Sequence, residues 1–283
     1  MLARLRPLLL CSLAAMPLAG PALLGSALAS EMSDWSAPEG TAARLVAGGT
    51  EGGALIGGVE IRLSPGLKTY WRYPGDSGVP PQFDWSGSQN VEDVEVLWPA
   101  PVRFDDGGSF SIGYKTDVVL PLRITPKDPS KAVELKLNLD FAVCGKICQP
   151  ASAALGLAVP SGGGAPSAAL TQALARVPHR AALGAGGEPR IATALLQDGK
   201  DGAAIRLVAQ VGDANNADLF VEGPGDDWAL PLPARETGPD GRVTFTLPVD
   251  GVPKGADIGT AQLRFTLVDG DRAIEVHAPL SHH

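Results

Sequence analysis

Between Leu135 and Val159 the chain carries a two-residue hydrophobic period that fits a β-ribbon. Leu135, Leu137, Leu139, Phe141 and Val143 alternate with Lys136, Asn138, Asp140 and Ala142, and Leu155, Leu157 and Val159 resume the alternation beyond Pro150. On a strand the members of each set share one face, whereas on a helix they would scatter around it. The two strands meet at Cys144-Gly-Lys-Ile-Cys148. With the odd positions turned inward, both cysteines project to the face opposite the core, which predicts a sulfur pair near the surface.

A three-residue turn makes these cysteines direct cross-strand partners. Cβ atoms about 4.5–5.5 Å apart at such positions must be drawn slightly closer to reach the roughly 3.5–4.5 Å of a disulfide, so a bridge can form, under strain. The closed loop is small, and chain entropy assigns it about 2 kcal/mol, against about 5 kcal/mol for a loop of about a hundred residues. A bridge here is a weak staple, which points to exchange chemistry instead. Lys146 lies between the sulfurs and favours a thiolate, while Asp140 opposes it.

The opening residues place Arg4 and Arg6 before an apolar stretch from Pro7 to Leu24 and then Ala27-Leu28-Ala29. That order predicts a secretory signal peptide over residues 1–29, cleaved before Ser30, and hence an exported chain. Cys11 falls in the discarded part and lacks the small neighbours of a lipoprotein site, so two cysteines remain in a compartment that lets them pair. The 23 basic residues face 31 acidic ones; loss of the two leader arginines makes the balance more acidic still, which excludes nucleic acid as a partner.

The 35 Gly and 25 Pro, with few helical patterns, predict an all-β chain of short strands and turns. Alternation from Thr41 to Val159 suggests a first β-sandwich over residues 30–160. Pro160-Ser-Gly-Gly-Gly-Ala-Pro166 reads as a flexible joint opening a Gly/Pro-rich linker over 161–187, with a short helix between Ser167 and Val177. Alternation returns after Arg190, with Asp-Gly turns at 198–199, 201–202, 240–241 and 250–251, and predicts a second β-sandwich over 188–283. Arg103 to Tyr114, rich in glycine and interleaved with Phe104, Phe110 and Tyr114, reads as a mobile loop without regular structure.

The first half resembles the periplasmic N-terminal domain of the thiol:disulfide interchange protein DsbD, and more closely the corresponding region of ScsB-type relatives. The resemblance rests on Gly66-Leu-Lys-Thr-Tyr-Trp-Arg72, Pro74-Gly-Asp76, Trp85-Ser-Gly-Ser88, Val96-Leu-Trp-Pro99, Gly113-Tyr114, Leu120-Pro121 and Phe141-Ala-Val-Cys-Gly-Lys-Ile-Cys-Gln-Pro150. It implies an immunoglobulin-like sandwich whose Cys144 and Cys148 take electrons from a membrane-embedded thiol reductase and pass them to periplasmic thioredoxin-fold or other thiol proteins, with no cofactor and no metal. It also implies a cap over the cysteines. Phe110 or Phe104 is the capping ring, with Tyr70, Tyr114 and the acidic pair Asp105 and Asp106 in its surroundings. Members of the DsbD family carry a longer insert between the cysteines and hold their membrane and thioredoxin-like domains in the same chain, so the donor expected here is a separate protein.

Two other readings compete. The pair is a static hairpin disulfide in a secreted scaffold, or its thiolates bind copper; against the latter, no histidine precedes His179 and the last methionine is Met32. No phosphate-binding glycine loop, His-Glu-x-x-His motif or Cys-x-x-Cys pair is present in the sequence.

Overall fold

The structure, a computed structural model, describes residues 31–76, 78–105, 108–199, 202–239 and 241–282; the expected leader at 1–29 and the acidic residue Asp106 lie outside them. Ten strands build the first half: β1 (Ala42–Glu51), β2 (Ala54–Arg62), β3 (Lys68–Gly75), β4 (Gln82–Asp84), β5 (Val91–Val96), β6 (Val102–Asp105), β7 (Phe110–Tyr114), β8 (Val118–Pro126), β9 (Val133–Cys144) and β10 (Cys148–Val159). One sheet has the order β1-β2-β8-β5 and the other β10-β9-β3-β7-β6, with β4 also on β9. The β9-β10 ribbon keeps unbroken register from Val133 opposite Val159 to Cys144 opposite Cys148.

Alternation along β9 puts Leu135, Leu137 and Leu139 into the space between the sheets, against Val59, Leu120, Leu122 and Ile124 of the facing sheet. Fully burying each such side chain contributes about 1.5–3 kcal/mol. The stretch from Arg103 to Tyr114 is not a loop. It forms the antiparallel pair β6-β7, with Phe104 opposite Ser111 and Asp105 opposite Phe110. Its glycines mislead because Gly113 serves the sheet itself: a Cβ there would meet the Thr69 carbonyl and lie 2.8 Å from the Tyr70 Cα.

The linker is packed down rather than free. Gly164 donates its N–H to the Gly48 carbonyl, and Gly163 lies so close to β1 that a Cβ would run into the backbone of Gly48 and Gly49. Helix α1 (Ala168–Ala175) begins at Ser167, whose side-chain oxygen accepts from the Leu170 N–H at 3.1 Å. Leu170 is fully buried among Val46, Ile56 and Val119. Gly48 and Gly58 make its socket, since a Cβ on either would press on the leucine methyls at 2.8 and 3.2 Å.

The second half is also a sandwich, made of β11 (His179–Ala181), β12 (Arg190–Gly199), β13 (Gly202–Gln210), β14 (Ala217–Glu222), β15 (Ala234–Thr237), β16 (Arg242–Pro248), β17 (Leu263–Asp269), β18 (Arg272–Ala278) and β19 (Ser281–His282). Its sheets run β11-β18-β17-β14 and β15-β16-β13-β12-β19. β11 comes from the expected linker: three residues pairing in parallel with β18 leave no periodic trace in sequence. The described residues are thus all-β apart from one short helix, in two immunoglobulin-like sandwiches. They are joined through side chains as well as through the linker, for Phe220, Val268 and Ala273 of the second belong to the same apolar cluster as Trp71 and Ile112 of the first. Among the described residues no helix is long and apolar enough to cross a membrane.

Candidate redox site at the cysteine hairpin

Cys144 and Cys148 are joined in a disulfide across the mouth of the β9-β10 turn. The expected parity holds, in that the sulfurs lie on the face away from the main core. The expected exposure holds for one of them only. Cys148 is exposed, whereas Cys144 is 1% exposed, enclosed in a small cluster with Tyr70, Phe104 and Ala142. A second buried layer has been built on what strand alternation marks as the outer face.

The register explains which aromatics reach it. Lys68 stands opposite Cys144 on β3, and Tyr70, two residues on, shares its face. Tyr70 in turn stands opposite Gly113 on β7. The absent side chain at Gly113 and the small Ser111 leave room for Phe104, the neighbour of Ser111 on β6. Phe104 is 5% exposed, with its ring centroid 6.5 Å from that of Tyr70. Phe110, opposite Asp105, belongs to the other face of the hairpin and is 40% exposed, outside the cysteine cluster. Tyr114 is also turned away: it lies in the main core, and its hydroxyl donates to the Pro99 carbonyl at 2.9 Å.

The Tyr70 hydroxyl is 2.7 Å from the Cys144 Sγ and 3.4 Å from the Cys148 Sγ. A disulfide has no proton to give, so the phenol is the donor. Burial raises the Tyr70 pKa, with a hydrogen bond involving Ser111 opposing the rise, which keeps the phenol protonated. Beneath it, the Thr69 hydroxyl donates to the Ala142 carbonyl at 2.9 Å and ties β3 to the cysteine strand.

Two lysines that sequence reading passed over complete the surroundings. The Lys68 Nζ lies 4.4 Å and the Lys115 Nζ 5.6 Å from the centre of the Phe104 ring, a cation on an aromatic face in each case. Burial and the nearby Lys115 lower the Lys68 pKa, and Asp105 opposes them. These groups line a recess of about 500 Å³ beside the Phe104 ring, together with Gly66 and Leu67. Lys68 was legible as a neighbour of Tyr70 on one strand face; Lys115 had no signal, since its place depends on how β7 ends. At the turn, Lys146 is exposed and Ile147 is 75% exposed.

Residues 37–160 match the family model described as thiol:disulfide interchange protein DsbD, N-terminal. This part of the chain is a DsbD-like N-terminal domain. The disulfide lies within the matched residues. Beyond the DsbD-like domain, residues 176–283 match a domain of unknown function, DUF8393. The crystal structure of the N-terminal periplasmic domain of ScsB from Proteus mirabilis is similar over both sandwiches, with 25% sequence identity and a TM-score of 0.69, covering 89% of this chain and 99% of that one. No curated protein matches the chain by sequence.

Proposed function

We propose that the chain is a periplasmic electron relay whose Cys144–Cys148 disulfide accepts two electrons from a membrane-embedded thiol reductase and delivers them to thioredoxin-fold or other thiol proteins. The observation that carries this reading is the asymmetry of the pair: one sulfur is open to an incoming thiolate and the other is buried against a hydroxyl donor. A donor thiolate attacks the Cys148 Sγ, the Cys144–Cys148 bond breaks, and its electron pair leaves on Cys144. The Tyr70 O–H stabilises the thiolate formed there. The donor's second thiolate then attacks the donor sulfur of the mixed disulfide, which releases Cys148 and leaves the donor oxidised. Delivery runs in the opposite sense: Cys148 attacks the acceptor disulfide, and Cys144 resolves the mixed species. Phe104 is the cap that shields Cys144 between encounters, and the periplasmic location of the similar ScsB domain supports the compartment.

Two measurements test the relay. The midpoint potential of the isolated protein is expected above about −300 mV, and a value below that belongs to an inert structural bridge. In periplasmic extracts the Cys144→Ser variant, which keeps the exposed sulfur, is expected to accumulate mixed disulfides with thiol proteins, and Cys148→Ser far fewer. Empty traps in both backgrounds would overturn the proposal.

A further inference from the structure

Both residues that cover Cys144 sit next in sequence to residues held by the second sandwich. On β3, Tyr70 is followed by Trp71, whose ring lies 5.7 Å from Phe220, and by Arg72, which makes two hydrogen bonds to Glu222 at 2.9 and 2.8 Å and a third to Glu275 at 2.8 Å. On β6, Phe104 follows Arg103. The Arg103 guanidinium donates to both carboxylate oxygens of Asp218, at 2.7 and 3.1 Å, and to the Pro233 carbonyl at 3.1 Å. Neighbouring residues on a strand face opposite ways. Each of these strands therefore points one side chain at the sulfurs and the next into the second domain.

We propose that the second sandwich, the domain of unknown function, is a brace that holds the cap closed over Cys144, with Arg103 as its positioning residue. β6 is a four-residue strand at the sheet edge, paired only with β7. Short edge strands open at low cost. Lifting the Phe104 ring off Tyr70 and Cys144 requires β6 to turn or rise, and that motion pulls Arg103 out of its two-pronged bond to Asp218. The carboxylate cannot follow, because it also accepts from the Leu219 N–H at 2.8 Å on β14. Burial raises the Asp218 pKa, and Arg103 is the first of the charges opposing the rise, so the ion pair is the group's main compensation. Cap opening and loosening of this contact are one event. By reciprocity, anything that weakens the contact populates the open cap, and a partner that lifts Phe104 weakens the contact.

The inference deepens the relay reading, but its test reads access to a sulfur and not electron transfer, so each stands or falls separately. In the full chain carrying Cys11→Ser and Cys148→Ser, Cys144 is the one thiol, and its alkylation by iodoacetamide measures how often the cap opens. Asp218→Ala is expected to raise that rate about fivefold, the factor an ion pair of this exposure supplies. Phe104→Ala removes the cap and raises the rate by itself, and adding Asp218→Ala to it is then expected to change nothing further. A rate unmoved by Asp218→Ala would overturn the brace, as would an equal rise with and without Phe104, which signals general loosening. Asp218→Asn, which keeps the side-chain shape, is carried through the same cycle, with circular dichroism and melting temperature recorded for each variant, so that a misfolded alanine variant does not decide the result.

Discussion

Cys144 and Cys148 have the same chemistry in isolation and differ here because of one tyrosine and one phenylalanine. The Tyr70 hydroxyl faces the buried sulfur at 2.7 Å, within reach of a charge-assisted hydrogen bond once that sulfur is a thiolate. Tyr70→Phe removes the donor and, with it, the partner of the Ser111 hydrogen bond. A hydrogen bond to a charged group contributes about 1.5–3 kcal/mol, so the variant is expected to raise the Cys144 thiol pKa by about one, equivalent to ~1.4 kcal/mol. Reduction of the disulfide by dithiothreitol should slow about threefold, because only part of the thiolate charge is present on the leaving sulfur in the transition state. Thiolate absorbance in a Cys148→Ser background reports the pKa; an unchanged value would show that the phenol has no electrostatic role. The choice between Phe104 and Phe110 shows what limits reading at this scale. Both rings are six residues apart in one aromatic, glycine-rich stretch, and only the pairing of Phe104 with Ser111 and of Asp105 with Phe110 sends them to opposite faces.

At the scale of elements, the site depends on how closely β3 and β7 approach. Gly113 has an ordinary backbone conformation, and its requirement is steric: an added Cβ runs into the Thr69 carbonyl and lies 2.8 Å from the Tyr70 Cα. Backbone cannot swing aside as a side-chain tip does. Gly113→Ala is therefore expected to destabilise the chain by about 1–3 kcal/mol, the range of overpacked sites, and to displace Tyr70 from the sulfurs. Urea denaturation reads the first effect and Cys144 alkylation the second; a variant of wild-type stability with a shielded Cys144 would contradict this account. Most other elements were legible. The alternation from Thr41 to Val159 became β1, β2, β8, β9 and β10 among its strands, because each of these is half-buried and long enough to show its period. β6, β7 and β11 were not, being three to five residues long and so too short to show a period.

Over the whole molecule, the two sandwiches are expected to unfold as one unit while Arg72 is in place. Its guanidinium, stacked 4.2 Å over Trp71, separates Glu222 from Glu275, and Arg264 and His277 also face these carboxylates. Arg72→Ala leaves two carboxylates in a largely buried interface without their principal counter-charge, which costs about 3–5 kcal/mol. Urea denaturation followed by fluorescence should then split into two transitions; a single transition at the wild-type midpoint would refute the coupling. Acid acts on the same contact. Burial pushes the Glu275 pKa up, but Arg72, His277 and Arg264 more than offset it and hold the carboxyl below its ordinary value of 4.5. A group with a depressed folded pKa stabilises the fold above its unfolded pKa and loses that contribution as pH falls through the folded one. The interface should thus weaken below about pH 4.5, and the loss should be absent in Glu275→Gln.

The order of apolar and polar residues determined the β-class, the two-sandwich division and the position of the cysteine ribbon, because strand periodicity is a local property that each segment carries by itself. The same alternation told which face each sulfur takes. Whether that face is open is a different matter, settled by residues 40 and 74 positions away in sequence: Phe104 laid over Cys144 from β6, and Tyr70 brought under it from β3. The tertiary structure also decided that the second sandwich grips the strands carrying both residues, through Arg103 with Asp218 and Arg72 with Glu222. Those contacts join charges that look like ordinary surface residues in the sequence, and only the docking of the two sandwiches withdraws them from water and makes them partners.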